Sequence, residues 1–350
     1  MIIKRELGKT GIIINRVGIG GIPIQRITKD EAVRVINYAL DAGVNFIDSA
    51  RGYTCSEEYI GEALKDRRNS VYLATKSMAR TYEQMKKDIE ISLSNFQTDH
   101  IDLYQMHNVK NIDEFKLIIS PDGAYKALSE AKAQGKICHI GITAHSQDFL
   151  KWLLNSEYVD MIETVQFPIN FIEDNGIELL NLAKEKGKGT IAMKPLGGGA
   201  IDRGSVGVKW LMNVSSLDVA IPGIGDKKEI DDFDSIKNYE ISPEEDMYIK
   251  KLKKDLDGEF CHRCGYCMPC TKGIDIPGTF TLERYYKYYN LKDWAIKRYF
   301  GAKVLPSACV KCNACVKRCP YELDIPRKLE NIVKIFEKSE NDCVGKKNLL

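Results

Sequence analysis

Short apolar segments alternate with amphipathic segments along most of the chain, and this alternation constrains the fold more than any other feature. A ribbon of two predicted strands, residues 2–6 and 12–16, comes first. Further strands are then predicted at residues 17–20, 45–47, 71–74, 101–105, 138–142, 164–166, 190–192 and 219–221. A predicted helix follows each of them, and Thr28-Lys29-Asp30-Glu31 has the spacing of a capping box that opens the first helix.

Eight strand–helix pairs within roughly 230 residues predict an α/β protein built as a closed (β/α)8 TIM barrel, because such an alternation gives a parallel sheet. The alternative is an open, doubly wound sheet, which normally carries a glycine-rich dinucleotide fingerprint after its first strand. Gly18-Ile19-Gly20-Gly21 resembles that fingerprint only weakly. The length of 350 residues leaves room for a second, smaller domain.

Charge balance and apolar content exclude several classes of partner. With 51 basic and 49 acidic residues, the chain has no net field that would favour nucleic acid or an anionic membrane. The N-terminus, Met1-Ile2-Ile3-Lys4-Arg5-Glu6, is charged where a signal peptide is apolar, and no segment has the roughly 18 apolar residues of a transmembrane helix. We therefore expect a cytoplasmic protein without nucleic-acid or membrane partners.

Polar side chains follow three neighbouring predicted strands at the points where these strands end. Asp48 and Tyr53 follow the second barrel strand, Lys76 the third and His107 the fourth. The strands of a barrel share one C-terminal rim, which is where this fold keeps its active sites. We therefore predict that the four side chains meet in one pocket, although each alone is more commonly an ordinary structural residue.

An acid, a phenol, an amine and an imidazole in one pocket can together reduce a carbonyl group. Lys76, oriented by Asp48, would favour the ionised form of the Tyr53 phenol. His107 can hydrogen-bond a carbonyl oxygen. Tyr53 then becomes a proton donor to an oxygen that gains negative charge as hydride arrives at carbon, a contribution of about 10²–10⁴ in rate. These four residues are the predicted catalytic residues.

The four residues lie in motifs that resemble the tetrad motifs of the aldo-keto reductase superfamily. The motifs are Asp48-Ser49-Ala50-x-x-Tyr53-x-x-Ser56-Glu57, Ala74-Thr75-Lys76 and Asp102-Leu103-Tyr104-Gln105-Met106-His107. The resemblance continues through Gly141-Ile142-Thr143, Val165-Gln166, Met193-Lys194-Pro195-Leu196-Gly197-Gly198 and Ile221-Pro222-Gly223. It thus covers the predicted barrel, and it implies the same tetrad and a nicotinamide dinucleotide that lies extended across the mouth.

The resemblance also implies which residues contact the nicotinamide cofactor. They are Gly21, Asp48, Thr143, Gln166, Met193, Lys194, Pro195, Leu196, Gly197, Ile221, Gly223, Lys227, Glu229 and Asp232. Thr143-Ala144 stands where family members commonly carry Ser-Asn, and Met193 where they carry a stacking Tyr. Glu229 takes the place of an Arg that binds the 2′-phosphate of NADPH, and its charge would repel that phosphate. Lys227 and Lys228 could still hold an anion at the helix start, so NADH and NADPH both stay open.

Eight of the 11 cysteines fall in two quartets late in the chain, which is typical of metal ligation rather than of disulfides. The quartets are Cys261-x2-Cys264-x2-Cys267-x2-Cys270 and Cys309-x2-Cys312-x2-Cys315-x3-Cys319-Pro320. The second has the full spacing of bacterial ferredoxins. The first differs in its last spacing and in Thr271, where proline is usual. A zinc ribbon is the alternative, but zinc sites arrange their ligands as two pairs.

By the likeness to ferredoxins, the chain holds two [4Fe-4S] clusters. The expected ligand sets are Cys261, Cys264, Cys267 and Cys319 for one cluster, and Cys309, Cys312, Cys315 and Cys270 for the other. The predicted domains are the barrel over residues 1–255, a mainly helical ferredoxin-like 4Fe-4S domain over residues 256–335 and a polar tail over residues 336–350. Aldo-keto reductases with an appended ferredoxin-like module form a recognised subfamily, and the chain resembles it from end to end.

The combined motifs predict an enzyme that reduces a carbonyl, or oxidises an alcohol, and couples this chemistry to one-electron transfer through the clusters. A ferredoxin or another electron carrier is the expected protein partner. Hydride carries two electrons and each cluster carries one, so two clusters can together take a pair of electrons. One alternative is a flavin that is bound without a recognisable motif. Another is that the clusters are purely structural. The rival functions are a nicotinamide-binding redox sensor and an electron-transfer protein with a silent barrel. The loop over residues 108–122 is predicted to line the substrate pocket.

Overall fold

The computed structural model describes residues 4–347, apart from residues 237, 264, 290 and 320 and the side chains of residues 338–347. Ten strands are present in this part of the chain. They are β1 (Lys4–Glu6), β2 (Ile13–Asn15), β3 (Ile19–Gly20), β4 (Phe46–Asp48), β5 (Tyr72–Ser77), β6 (Ile101–Met106), β7 (Ile137–Thr143), β8 (Thr164–Pro168), β9 (Gly189–Met193) and β10 (Val219–Ala220). The last eight form one sheet in which each strand lies beside its successor in sequence.

All neighbouring strands of this sheet are parallel, and the first and last strands also meet. Val17 bridges Ala220 and Gly20 bridges Gly223, both in the parallel sense. The Gly20 amide donates to the carbonyl oxygen of Pro222 at 2.7 Å. The sheet is therefore closed, and the predicted (β/α)8 barrel is confirmed in preference to an open sheet.

Helices connect the strands and continue after the barrel. They are α1 (Lys29–Asp41), α2 (Ser56–Leu64), α3 (Tyr82–Phe96), α4 (Ile112–Ile118), α5 (Ala124–Ala133), α6 (Gln147–Leu154), α7 (Ile177–Glu185), α8 (Gly204–Met212), α9 (Lys227–Asp234), α10 (Pro243–Leu256), α11 (Ile276–Lys287), α12 (Lys292–Phe300) and α13 (Ile325–Lys347). The predicted capping box opens α1, because the Thr28 hydroxyl accepts from the Glu31 amide and the Glu31 carboxylate from the Thr28 amide. No described helix is both long and apolar enough to cross a membrane.

The segment over residues 108–122 was expected to be a loop, and the structure places helix α4 within it. The Asn111 side chain caps the helix by accepting a hydrogen bond from the Glu114 amide at 2.9 Å. Phe115 and Ile118 are fully buried in the barrel core. The seven residues of α4 are too few for the hydrophobic period to stand out in the sequence, so packing of these two side chains defines the helix.

The N-terminal ribbon closes the barrel at the end where the strands begin. Leu7, Ile12 and Ile14 form one buried cluster with inward-facing strand residues such as Phe46 and Val219. The ribbon is antiparallel, with Arg5 opposite Ile14. Because this end is filled with apolar side chains, polar chemistry within the barrel is restricted to the opposite rim.

The chain divides into two compact units, and the division falls within α10. The second unit contains Gly198–Ala200 and the chain from Met247 onward. Its core includes Phe280, Leu329 and Ile332, together with partly buried aromatic side chains. The rings of Tyr299 and Phe336 stack at 4.4 Å, which joins α12 to α13. Tyr299, which lies between the cysteine quartets, thus packs between helices.

Close packing of α2 against α3 gives a test of the barrel shell. A methyl group on Gly61 would lie 2.3 Å from the backbone oxygen of Asn95. We expect Gly61→Ala to lower the free energy of unfolding by about 1–3 kcal/mol, because the backbone of α3 must move. Gly52→Ala is the matched control, since nothing lies within 4 Å of its added methyl group. Urea unfolding of both variants measures the difference, and equal midpoints would contradict this packing.

Candidate active site

Three adjacent strands bring the four predicted catalytic residues to one rim. Asp48 is the last residue of β4, Lys76 lies in β5, and His107 directly follows β6. Tyr53 lies in the turn between β4 and α2. Because β4, β5 and β6 are parallel neighbours, their C-terminal ends open on the same side.

Asp48 and Lys76 form a buried ion pair at the centre of the site. The Lys76 Nζ donates to the Asp48 Oδ2 and, at 2.6 Å, to the carbonyl oxygen of Ser49. Both side chains are almost wholly buried, with exposed fractions of 1% and 3%. A buried charge needs a partner and further hydrogen bonds to offset its lost hydration. The ammonium group therefore has its position fixed by two acceptors.

Two glutamine side chains complete the hydrogen bonding of Asp48. The Gln105 Nε2 donates to the Asp48 Oδ1 at 3.0 Å, and the Gln166 Nε2 lies 3.5 Å from the Asp48 Oδ2. Gln105 was part of a quoted motif but was not predicted as a site residue. The feature that could have identified Gln105 as a site residue is its register, because it lies directly opposite Lys76 in the β5–β6 pair.

Tyr53 and His107 lie against this ion pair. The Lys76 Nζ is 5.0 Å from the centroid of the Tyr53 ring. The rings of Tyr53 and His107 meet edge to face, with centroids 6.2 Å apart. Tyr53 is half-buried, so one part of the ring contacts the site and another part remains accessible. The structure thus brings all four predicted residues together.

Burial determines the protonation equilibria of the inner residues. It raises the pKa of Asp48, and the charge of Lys76 and the two glutamine amides oppose this increase. It lowers the pKa of Lys76, against the attraction of Asp48. The pKa of His107 lies well below its ordinary value of 6.5, first because of burial and then because Lys76, Arg80 and Lys194 are cationic. His107 is therefore a neutral imidazole at neutral pH.

A second buried carboxylate, Glu57, anchors the turn that carries Tyr53. Glu57 is 1% exposed and pairs with Arg51, whose backbone amide donates to the carbonyl oxygen of Lys76 at 3.0 Å. Other hydrogen bonds to the Glu57 carboxylate come from the side chains of Thr75, Ser92 and Asn95. Sequence reasoning noted Glu57 in a motif but gave it no role. Its network joins the turn after β4 to β5 and α3.

Some of the predicted nicotinamide contacts at the strand ends already form hydrogen bonds within the protein, and one has an unpaired acceptor. The Thr143 hydroxyl accepts from the Asn108 amide at 2.7 Å, which holds the turn after β6. The buried Oε1 of Gln166 has no hydrogen-bond partner among the described residues. An unpaired buried acceptor can bind a carboxamide NH₂ group, so the side chain of Gln166 suits a nicotinamide. The Gly21 amide donates to the Asp48 backbone oxygen at 2.8 Å, and a methyl group on Gly21 would meet the Ser56 hydroxyl at 2.7 Å.

The predicted contacts after β9 form a tight turn at the rim. Lys194 has a positive φ of 53°, and its carbonyl oxygen accepts from the Gly197 amide at 2.9 Å and from the Asn170 side chain at 3.1 Å. The Lys194 Nζ lies 3.3 Å from the His145 Nε2. Met193 ends β9 half-buried. The turn itself consists of Lys194, Pro195, Leu196 and Gly197.

The predicted contacts after β10 surround the start of α9. Ile221 is buried, and Gly223 takes part in closing the barrel. The Glu229 carboxylate accepts from the amides of Gly225 and Asp226 and pairs with Arg26 at 3.4 Å. The Asp232 carboxylate accepts from the Ser205 amide at 2.8 Å at the start of α8, and Lys227 lies over the ring of Tyr38. Glu229 and Asp232 thus already serve as helix caps.

The first predicted cluster site surrounds a small pocket in the second unit. Cys261, Cys267 and Cys319 line this pocket together with apolar residues such as Phe280 and Leu323. Its empty volume is about 310 Å³. Cys264, the fourth predicted ligand, lies outside the described residues. Thiol groups from both quartets around one apolar pocket fit the donor set of a [4Fe-4S] cluster.

The second predicted cluster site brings the remaining cysteines together. Burial raises the pKa of the Cys315 thiol, and the neighbouring thiols of Cys309 and Cys270 add to this increase. The Thr271 hydroxyl, beside Cys270, lies 3.3 Å from the Cys312 Sγ and lowers the pKa of that thiol. Cys270 is thus a neighbour of Cys315 in the other quartet, and Cys319 lies with Cys261 and Cys267, as the likeness to ferredoxins implies. In the described part of the chain, no three His, Cys, Asp or Glu side chains surround a common point as ligands of one metal ion would.

Arg318 ties the two cysteine segments to each other. Its Nη2 donates to the carbonyl oxygens of Cys267 and Pro269, both at 2.8 Å. Its Nε donates to the carbonyl oxygen of Ala314 at 3.1 Å. One side chain thereby fixes the relative positions of the two quartets.

Comparison with known protein families agrees with both parts of the chain. Residues 16–207 match the Aldo/keto reductase family, and residues 260–324 match a 4Fe-4S dicluster domain. Structural neighbours include the aldo-keto reductase AKR11C1 from Bacillus halodurans in its holo form, with a TM-score of 0.60, 22% identity and coverage of 72% of this chain and 96% of that one. An aldo-keto reductase from Klebsiella pneumoniae in complex with NADPH has a TM-score of 0.60, 20% identity and coverage of 72% and 95%.

Several curated relatives match a little more than half of this chain. The uncharacterized oxidoreductase YqkF of Bacillus subtilis (strain 168) is 29% identical over 217 residues, which are 57% of this chain and 66% of the relative. L-galactose dehydrogenase of Arabidopsis thaliana is 28% identical over 216 residues, or 56% and 66%. 6-dehydroglucose reductase of Novosphingobium aromaticivorans is 27% identical over 219 residues, or 56% and 70%. The chain thus spans slightly less than two thirds of the first two relatives.

The family match covers more than half of the chain, and the structural neighbours share the barrel fold. The rim that carries Asp48, Tyr53, Lys76 and His107 falls entirely within the matched residues. The chain is therefore a member of the aldo/keto reductase family, a family of oxidoreductases, with a 4Fe-4S dicluster domain after the barrel.

Proposed function

We propose that the protein reduces a small carbonyl compound, or oxidises the corresponding alcohol, with Tyr53 as the proton donor. The observation that carries this proposal is the arrangement of Tyr53, Lys76 and His107 around one space. Lys76 Nζ is 5.0 Å from the centroid of the Tyr53 ring, and the Tyr53 and His107 rings are 6.2 Å apart. A carbonyl oxygen placed between phenol and imidazole would have two hydrogen-bond donors.

The residues have distinct roles in this proposal. A bound nicotinamide dinucleotide would supply or accept the hydride. Tyr53 gives its phenolic proton to the substrate oxygen, and the charge of Lys76 stabilises the phenolate that remains. Asp48 is a positioning residue, because it acts by holding Lys76. His107 is neutral and donates a hydrogen bond to the same oxygen, which fixes the carbonyl carbon in place without adding a second acid.

A nicotinamide dinucleotide fits the residues at the rim. The unpaired Oε1 of Gln166 is an acceptor for the carboxamide. Among the structural neighbours, the Klebsiella pneumoniae enzyme is in complex with NADPH. Here the Arg26–Glu229 pair lies at the start of α9, where the resemblance to the family implies recognition of the 2′-phosphate. We propose that this pair decides between NADH and NADPH.

The names of the relatives support a small carbonyl or alcohol as the substrate. L-galactose dehydrogenase and 6-dehydroglucose reductase are both oxidoreductases by name, and the two names point to opposite directions of reaction. We extend to this chain only the chemical class, a carbonyl compound or its alcohol. Helix α4, in the segment after β6, would line one side of the substrate pocket, because that segment leaves the rim beside His107.

The cysteine sets support two [4Fe-4S] clusters that take part in electron transfer. A nicotinamide that gives its hydride to a carbonyl is left oxidised, and one electron from each of two clusters together with one proton would restore it; alcohol oxidation would run the same exchange in reverse. A ferredoxin or another external carrier would exchange these electrons with the protein. We place the protein in the cytoplasm, where thiols stay reduced and can act as cluster ligands.

Removal of the Tyr53 hydroxyl tests the proposed reaction. Tyr53→Phe should lower kcat by about 10²–10⁴, because the proton donor is lost, while the dissociation constant of the nicotinamide stays within about twofold. Tyr82→Phe is the control, since it removes only the hydroxyl that bonds Glu130 on the surface. Steady-state kinetics and fluorescence titration measure both quantities. A wild-type protein that binds nicotinamide yet converts no carbonyl or alcohol would favour the sensor instead.

The low pKa of His107 predicts how stability depends on pH. The folded protein holds His107 neutral, whereas the unfolded chain binds a proton near pH 6.5, so stability is lost as the pH falls below 6.5. Between pH 7 and pH 5.5 this cost amounts to about 1 kcal/mol. Over this pH range, the free energy of unfolding of His107→Asn should therefore decrease by about 1 kcal/mol less than that of the wild type. Urea unfolding at both pH values measures it, with His100→Asn as the control; identical pH dependence in all three proteins would contradict a neutral His107.

Glu229 offers a test of cofactor choice that leaves the helix cap in place. Glu229→Gln keeps an oxygen that can accept from the Gly225 and Asp226 amides but removes the negative charge. We expect the ratio of NADPH affinity to NADH affinity to rise about fivefold, which corresponds to about 1 kcal/mol for one partly exposed charge. Glu62→Gln, which breaks a surface pair with Lys65, is the control. An unchanged ratio would show that Glu229 does not face the cofactor.

A further inference from the structure

Thr271 is the residue by which the first cysteine quartet departs from the ferredoxin pattern, and it reaches across to the second quartet. It follows Cys270 in a turn closed by a hydrogen bond from the Gly273 amide to the Cys270 carbonyl oxygen at 2.9 Å. This turn places the Thr271 hydroxyl 3.3 Å from the Sγ of Cys312. A proline at position 271 would have no hydroxyl to offer.

The direction of this hydrogen bond follows from the chemistry of iron ligation. A cysteine binds iron as a thiolate, which has lone pairs but no proton, so Cys312 can only accept and Thr271 must donate. One-electron reduction of a cluster adds negative charge, part of which resides on the ligand sulfurs. A hydrogen bond to a sulfur therefore stabilises the reduced state more than the oxidised state and raises the reduction potential.

We propose that Thr271 is a tuning residue, which raises the reduction potential of the cluster held by Cys309, Cys312, Cys315 and Cys270. This inference rests on the proposed function in one respect, the presence of a cluster in that ligand set. Thr271 is not itself a ligand. It acts on the cluster through the sulfur of Cys312.

The surroundings of the two sites reinforce the difference that Thr271 introduces. Cys312 and Thr271 are both exposed, as are Lys311 and Val310 beside them. The other site has mainly apolar walls, to which Phe280 and Leu323 contribute, and His262 and Arg263 also line it. Exposure and hydrogen bonding favour the extra negative charge of a reduced cluster, and an apolar environment disfavours it. The two clusters are thus unequal, and the exposed one is the first to be reduced.

Three variants of the full-length protein, purified without oxygen, separate tuning from assembly. Thr271→Val removes the hydroxyl with little change of shape, and Thr271→Ser keeps it. Thr281→Val is the control, because it removes a hydroxyl that only bonds the Pro277 carbonyl oxygen within α11. Iron and sulfide content is measured first. Each protein is then titrated with a chemical reductant and mediators while the reduced clusters are followed by electron paramagnetic resonance.

We expect wild-type iron and sulfide in all three variants, with one of the two reduction steps altered only in Thr271→Val. Its equilibrium constant for reduction should fall about tenfold, which is about 59 mV for one electron. Unchanged steps in Thr271→Val, or equal shifts of both steps, would overturn the proposal. So would loss of iron in Thr271→Val but not in Thr271→Ser, because the hydroxyl would then be needed for assembly.

Failure of this proposal and failure of the proposed function give different results. A wild-type protein that holds both clusters but turns over no carbonyl or alcohol would contradict the reductase and leave the effect of Thr271 measurable by the same titration. A wild-type protein that holds no cluster in the set around Cys312, shown by half the expected iron and a single reduction step, would overturn the tuning role while Tyr53-dependent turnover could still be observed.

Discussion

The ion pair between Asp48 and Lys76 is the interaction on which the proposed chemistry depends. A lysine ammonium with 1% of its side chain exposed is stable as a cation only if acceptors replace its water. Asp48 and the Ser49 carbonyl oxygen supply them, and the amides of Gln105 and Gln166 complete the coordination of Asp48. Because Asp48, Lys76 and Gln105 project from neighbouring parallel strands and Gln166 from β8 of the same closed sheet, the barrel places a positive charge at the rim without exposing it to solvent.

The part of the site that lies on strands was predictable from the sequence, whereas its supporting network was not. Tyr53 could be placed at the rim because an alternating pattern fixes where each strand ends. The burial of Glu57 depends on Arg51 and on donors from β5 and α3, and pairings between distant segments leave no periodic signal. Helix α4 was missed for a similar reason, since only its tertiary contacts bury Phe115 and Ile118. Local sequence patterns determine where strands and longer helices form, and tertiary packing determines which polar side chains pair with each other.

Glu229 shows how the neighbours of a residue can change the charge that a motif position presents. Counting along the sequence placed Glu229 near the start of α9, and the structure agrees with that location. The carboxylate, however, is engaged by two backbone amides and by Arg26, which lies 203 residues earlier in the chain. A charge that caps a helix and pairs with an arginine presents a weaker field to a nearby phosphate than a free carboxylate. In the proposed function, discrimination between dinucleotides would therefore depend on the pair rather than on Glu229 alone.

Ligand exchange between the two quartets has a consequence for electron transfer. Cys270 neighbours Cys315 of the second quartet and Cys319 lines the pocket of the first, so in the proposed ligand sets neither would be complete without the other, and Arg318 holds both segments in place. A hydride delivers two electrons at once, whereas clusters pass them singly, so two identical centres would compete for the first electron. Inequality created by Thr271 beside Cys312 would order the transfers, with the first electron resting at the exposed cluster, where an external carrier can reach it.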